Sequence, residues 1–211
     1  DPFGGNDGKN QAKLVPGGPV QVYAPGFRNP YDLVLTQSGR LYTIDNGPNG
    51  GWGGMPTGEG PGGNATNDRN DSGNTHNDGL HLITGPGFYG GHPNPTRSNM
   101  NNTFNDSNPQ SPVSQGNPIE SDYLTPGQGD GSLFTWGSST NGLTEYTASN
   151  FQGSMKGDLL AASFDNSIKR IKLNATGDAV VAEQKLFSSV GSVPLDVTAV
   201  GTGESSSAAL L

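Results

Sequence analysis

The sequence predicts an all-β, loop-rich chain, and three observations carry that prediction. Of 211 residues, 34 are Gly and 16 are Pro, nearly a quarter between them. No 15-residue window escapes both while also holding an i, i+3, i+4 apolar stripe, so long helices have nowhere to form. Apolar residues make up only 30% of the chain, yet they gather in short runs of period two, the pattern of half-buried strands. So much Gly and Pro approaches the composition of disordered segments, but a solvated coil gains nothing from clustered alternation.

Taken in order, residues 1–19 form a polar, Gly-rich lead-in. Residues 20–26 (VQVYAPG), 31–36 (YDLVLT) and 40–46 (RLYTIDN) then read as strands, with Leu33 and Leu35 alternating against Asp32, Val34 and Thr36. The intervening QSGR, with Gly39, is a hairpin turn. Residues 46–131 are the least regular part, an insertion of long Asn- and Gly-rich loops broken by aliphatic islands at 80–85 (LHLITG) and 112–124. Loops of that length in a compact domain are functional or mobile. Strand character returns at 132–137, 143–149, 157–164, 167–174, 180–189 and 195–200, and residues 204–211 read as a truncated tail.

Charge and cysteine content narrow the function. The net charge is −8, and Lys and Arg never cluster beyond two neighbours. Phosphate-backbone binding needs a basic footprint, so nucleic acid and anionic membrane are poor partners. No apolar run approaches 18 residues, which excludes a membrane-spanning helix. The absence of Cys excludes disulfides, thiolate zinc sites and a cysteine nucleophile. An acidic, Asn- and Gly-rich chain fits a secreted, periplasmic or cell-surface setting. The chain opens at Asp1 without Met or a signal peptide, which points to processing or truncation upstream. Sequons stand at Asn64, Asn70, Asn101, Asn105 and Asn174, mostly as chance matches in an Asn-rich chain.

An internal echo organises the strands. Pro30-Tyr31-Asp32-Leu33 has Gly39 seven residues after its Asp, and Pro194-Leu195-Asp196-Val197 has Gly203 seven residues after its own. With strands following one another at short spacing, this points to a radial repeat, a β-propeller of small meanders around a channel. The repeat is cut off after its second copy, so the chain reads as a partial propeller over residues 20–203, roughly two to three blades, needing missing blades or a second chain to cover its open faces.

From Gly26 to Asn49 the chain resembles the soluble quinoprotein glucose dehydrogenases and the related glucose/sorbosone dehydrogenases. The matching residues are Gly26, Arg28-Asn29-Pro30, Gly39 and Gly47-Pro48-Asn49. The segment with Leu82, Gly87, Tyr89, Gly90 and Pro93, the strand pair at 157–178 and the PLDV at 194–197 are similar to further pieces of that family. The resemblance implies a six-bladed propeller that oxidises aldoses or sorbosone with pyrroloquinoline quinone (PQQ) and calcium. It implies that Arg28, Asn29 and Asn46 face the cofactor, and that Gly47 and Pro48 offer backbone carbonyls to calcium. An Arg at such a rim presents a planar fork to carboxylate or quinone oxygens. A sugar or glycan would be the ligand. The plainer reading of the same residues pairs Arg28 with Asp32 or Asp45, starts a strand at Asn29-Pro30 and makes Gly47-Pro48-Asn49-Gly50 an ordinary turn.

The chain also departs from the family pattern. Where the family supplies further cations to the cofactor carboxylates, this sequence has Ser163-Phe164-Asp165 and Val193-Pro194-Leu195. None of His76, His81 and His92 matches the family's catalytic base, so no catalytic residue is assigned; His81 reads as a strand residue and the other two as loop residues. On this evidence of residues the chain by itself is inactive, and a non-catalytic calcium- or glycan-binding propeller module of a bacterial surface protein is the alternative. Asp68-Arg69-Asn70-Asp71-Ser72-Gly73 has the start of an oxygen-cage calcium loop, and Trp52 and Tyr89 are candidates for stacking on a sugar ring.

Overall fold

The computed structural model describes residues 26–47, 77–88, 132–137 and 139–201, with Gly18, Gln21, Tyr23, Ala24 and Gly90 besides. The described residues form two four-stranded antiparallel meanders. The first is β1 (Pro30–Leu35), β2 (Leu41–Asp45), β3 (Asp78–Ile83) and β4 (Ser132–Trp136), in that order across the sheet. The second is β5 (Thr140–Glu145), β6 (Leu159–Ser163), β7 (Ser167–Leu173) and β8 (Val180–Ser188). A one-turn 3-10 helix, Phe151–Gly153, lies between β5 and β6. The fold is all-β, a partial propeller made of two adjacent blades.

The expected hairpin at Gly39 is present. Thr36 and Arg40 close it, with the Thr36 N–H donating to the Arg40 carbonyl at 2.9 Å. Gly39 has φ +78°, a left-handed value that glycine adopts without the strain a Cβ brings.

The sheets pack face to face through an apolar seam. Tyr42, Ile44, Leu80 and Trp136 from the first meet Leu143, Leu159, Ala161 and Ile171 from the second in one buried cluster. Each set comes from the same phase of its strands, as period-two alternation requires. Polar ties run along this seam. The Tyr42 hydroxyl donates to the Gly177 carbonyl (2.6 Å), Glu145 accepts the Gln37 N–H (2.7 Å) and the Trp136 indole donates to Glu183 (3.3 Å).

The two blades share an irregularity that gives their equivalence residue by residue. In β1–β2 the register slips between Pro30, opposite Asp45, and Leu33, opposite Thr43. In β5–β6 it slips between Thr140, opposite Ser163, and Leu143, opposite Ala161. Leu33 therefore corresponds to Leu143 and Asp45 to Ser163. Leu143 is 3% exposed beneath the first sheet, whereas Leu33 is 63% exposed. Tyr31 and Leu35, in phase with Leu33, are exposed as well. Burying a leucine stabilises by about 2 kcal/mol, so this strip has the composition of a seam with its second half not in place.

The run at 195–200, expected as a strand, is not one: it makes no ladder. Its position is that of a first strand nonetheless, because Gly142 of β5 approaches the backbone of Leu195 and Asp196. A strand needs a partner across the ladder, and none of the described residues supplies it. Similarly, Gln21, Tyr23, Ala24 and Gly26, in the first run expected as a strand, are not in a ladder. The second aliphatic island at 112–124, the lead-in apart from Gly18, and the tail lie outside the described residues.

Candidate functional site

At one end of the two blades, β1 and β5 begin while β2 and β6 end, and the segment before β1 folds over the turn after β2. Asp45, the last residue of β2, is fully buried and fixes this fold. Its carboxylate accepts the backbone N–H of Arg28 (2.9 Å) and of Asn29 (2.6 Å). Carboxylates capping successive backbone N–H groups order a turn strongly, because each bond has a charged acceptor. β1 then starts at Pro30, as the plainer reading of Asn29-Pro30 expected.

The Arg28 side chain turns to the backbone. Its Nη1 donates to the carbonyl oxygens of Asn46 (3.3 Å) and Gly47 (3.2 Å). The expected pairing with Asp32 or Asp45 through the guanidinium is not made; Asp45 is reached by the backbone N–H instead. Asn29 donates through Nδ2 to Asn46 Oδ1 (2.8 Å), and Asn46 in turn donates through Nδ2 to the Thr140 carbonyl (3.2 Å) on the second blade. Four of the five residues singled out by the sequence, Arg28, Asn29, Asn46 and Gly47, thus come together. Pro48 lies outside the described residues, as do His76, His92, Trp52, Tyr89 and the Asp68–Gly73 loop.

Two residues at this rim escaped the sequence reading. Asp78 opens β3, is buried, and bridges the blades by accepting the N–H of Gly47 (3.1 Å) and of Thr140 (2.6 Å). Burial pushes its carboxyl above the usual carboxylate range, with the nearby Asp45 charge adding to the rise; the N–H donors of Thr140 and Gly47 and the Asn46 side chain act against it. Thr140 joins the rim twice, donating its N–H to Asp78 and accepting from Asn46 Nδ2 at its carbonyl. The available signal was an Asp two residues before the apolar run at Leu80, which the surrounding string of Asn and Asp hides.

His81 lies in β3, as expected, and is buried against aromatic rings. Phe27 and Phe88 meet its imidazole edge-to-face at centroid distances of 5.6 and 6.2 Å. This aromatic packing lies on the face of the first sheet away from the seam, because His81 stands opposite Thr43 whereas Tyr42, Ile44 and Leu80 face the seam.

The rim as built does not fit either group the resemblance implies. Calcium takes hard oxygen ligands, and the Gly47 carbonyl with its Asn46 neighbour already accepts from a guanidinium. The carboxylates of PQQ require several cations, but Arg28 is occupied on the backbone. At the equivalent end of the second blade, Ser163 bonds the Thr140 hydroxyl (3.1 Å), and Asp165 is paired with Lys169 (3.1 Å) and Lys185 (2.8 Å). No group of three or more His, Asp or Glu side chains able to hold a metal occurs among the described residues. Nor does any described helix have the length and apolarity to cross a membrane.

No protein-family model and no curated protein matches the chain. Solved structures do. A crystal structure of a glucose dehydrogenase aligns with a TM-score of 0.51 at 22% identity, over 89% of this chain and 42% of that one. A second glucose dehydrogenase aligns at 0.50 and 21% identity, over 96% and 44%. The soluble aldose sugar dehydrogenase of Escherichia coli aligns at 0.48 and 19% identity, over 86% and 40%. The chain spans less than half the length of these structures, and at such identities the likeness is one of fold: two blades arranged as in the glucose dehydrogenases.

Proposed function

We propose that the chain is a two-blade sector of a sugar-dehydrogenase-like propeller, contributing scaffold and a polar rim while the reacting groups belong to other blades. The observation that carries this reading is the rim itself. Arg28, Asn29, Asn46 and Gly47 gather at the end of the first blade where β1 begins and β2 ends, where the resemblance implies a cofactor-facing loop, and they are tied to the next blade through Asp78 and Thr140. The exposed strip of Tyr31, Leu33 and Leu35 supports a further blade seated on the first sheet. The ligand class is a sugar, in a secreted or periplasmic setting, with PQQ and calcium the cofactors of the whole assembly.

A second reading, a non-catalytic propeller module of a surface protein, is favoured by one specific observation: the rim residues satisfy one another. Dye-linked aldose oxidation with calcium and PQQ supplied separates the two. Turnover by the longest polypeptide its gene encodes, with none by this chain, supports the sector reading. Turnover by this chain alone overturns it, and no turnover by either selects the non-catalytic module.

A further inference from the structure

The open face of the second sheet is covered by a segment that is not a strand. Residues 194–197 lie against β5 where Gly142 leaves room for them: a Cβ on Gly142 would come within 2.5 Å of the Asp196 Cα. The segment makes no ladder, Leu195 is 47% exposed, and the Val197 N–H turns to the carboxylate of Asp196 beside it. Farther out, Arg170, Lys172, Ala182 and Gln184 line a groove of about 230 Å³, and no residue of the segment is in its lining. Arg170 stands opposite Leu160 and Gln184, out of phase with Leu159, Ala161 and Ile171 of the seam, so the groove belongs to the open face. A single length of chain thus stands where the seam within the molecule has a whole blade.

The chain itself carries a better occupant. Pro30-Tyr31-Asp32-Leu33 has the Pro and the Asp of Pro194-Leu195-Asp196-Val197 at the same places, with an aliphatic residue after each Asp. It opens a complete four-stranded sheet, and Tyr31, Leu33 and Leu35 are exposed on it. Register makes Leu33 the counterpart of Leu143, which the seam buries to 3% exposure. We propose that the first sheet of one copy docks head to tail on the open face of the second sheet of another, residues 30–33 displacing that copy's own residues 194–197 from Gly142. The seam within the chain is the template: it joins the same two kinds of face, and the docked strip takes up the burial of Leu143. A head-to-tail contact repeats from copy to copy, closing into a ring or continuing as a chain. The tethered segment competes at an effective concentration in the millimolar range, about that of a short linker, so it covers the face in dilute protein and yields in concentrated protein. The inference rests on the blade equivalence alone and goes beyond the sector reading by naming a second copy as the neighbour; turnover, which tests that reading, does not enter its test.

The test is sedimentation velocity over a concentration series of the native chain, with amide hydrogen exchange on the same samples. The expected result is reversible association with a dissociation constant on the order of 0.1–1 mM. As it proceeds, exchange slows in residues 31–35 and quickens in residues 194–200, which no contact elsewhere on the molecule produces. Leu33→Asp, at a side chain exposed in the single copy, keeps the native urea midpoint and weakens association by about tenfold or more. A chain that stays monomeric to about 1 mM overturns the proposal, as does association of L33D equal to that of the native chain. Slower exchange in 31–35 with 194–200 unchanged marks a contact between like faces, and overturns it too.

Discussion

One carboxylate oxygen of Asp32 accepts the backbone N–H of Leu143 at 3.0 Å across 111 residues of chain, while the other accepts the N–H of the adjacent Leu33 at 2.7 Å. Leu33 and Leu143 hold the same place in their blades, so a single side chain serves both copies of one position. Asp196 repeats the local half of this arrangement, accepting the Val197 N–H at 2.7 Å.

Asp32→Ala removes the acceptor of a N–H at the buried seam and is expected to destabilise by about 2 kcal/mol, since a stranded buried donor loses its full desolvation. Asp196→Ala, which touches only an exposed N–H, is expected to cost under about 0.5 kcal/mol. Urea unfolding midpoints at constant m-value check the pair; equal effects would show that the Leu143 bond contributes nothing.

Gly142→Ala probes the docking of the 194–197 segment. A Cβ there would lie 2.5 Å from the Asp196 Cα and 2.9 Å from the Leu195 carbonyl oxygen, both backbone atoms that cannot swing aside. The expected cost is about 1–3 kcal/mol, accompanied by faster hydrogen exchange in residues 193–200. Exchange there identical to the native chain would place the segment elsewhere.

The pH dependence has two opposing parts. Burial alone would raise the Asp165 carboxyl, but bonds from Lys185, Ser167 and Lys169 outweigh it and hold the group well below the usual carboxylate range. The folded protein therefore binds fewer protons there than the unfolded chain, and the stabilisation is full above the ordinary value of 3.8 and lost as pH falls below it. Asp78 is shifted upward, so its cost is present at neutral pH and is relieved on acidification toward 3.8. Asp165→Asn is expected to lose about 1–2 kcal/mol at neutral pH and to converge on the native chain in strong acid. Asp78→Asn flattens the slope above 3.8. Unfolding free energies measured across a pH series check both.

The hairpin at Gly39 and most strands were legible because alternation and turn chemistry are local. β3 was only half legible: Leu80, His81 and Leu82 read as an island, but Asp78 and Gly79 were hidden in a loop string. The blade repeat was legible between the first blade and the start of the next sector, but not in the blade between them. Pro30-Tyr31-Asp32-Leu33 is echoed at Pro194, whereas its true neighbour, Thr140-Asn141-Gly142-Leu143, keeps only the leucine, because backbone register and one apolar contact suffice to define the position. At the rim, Arg28 and Gly47 were found through a motif, but the motif carries no information on which oxygen a flexible guanidinium selects. That choice depends on Asp45 and Asp78, which become neighbours only when the sheet forms.

The central claim is that Arg28, Asn29, Asn46 and Gly47 close on one another. Isothermal titration of the chain with PQQ in the presence of calcium tests this most directly. The account predicts heats of dilution alone; a saturable one-to-one complex, with the Arg28 side chain moved off the Gly47 carbonyl, would contradict it.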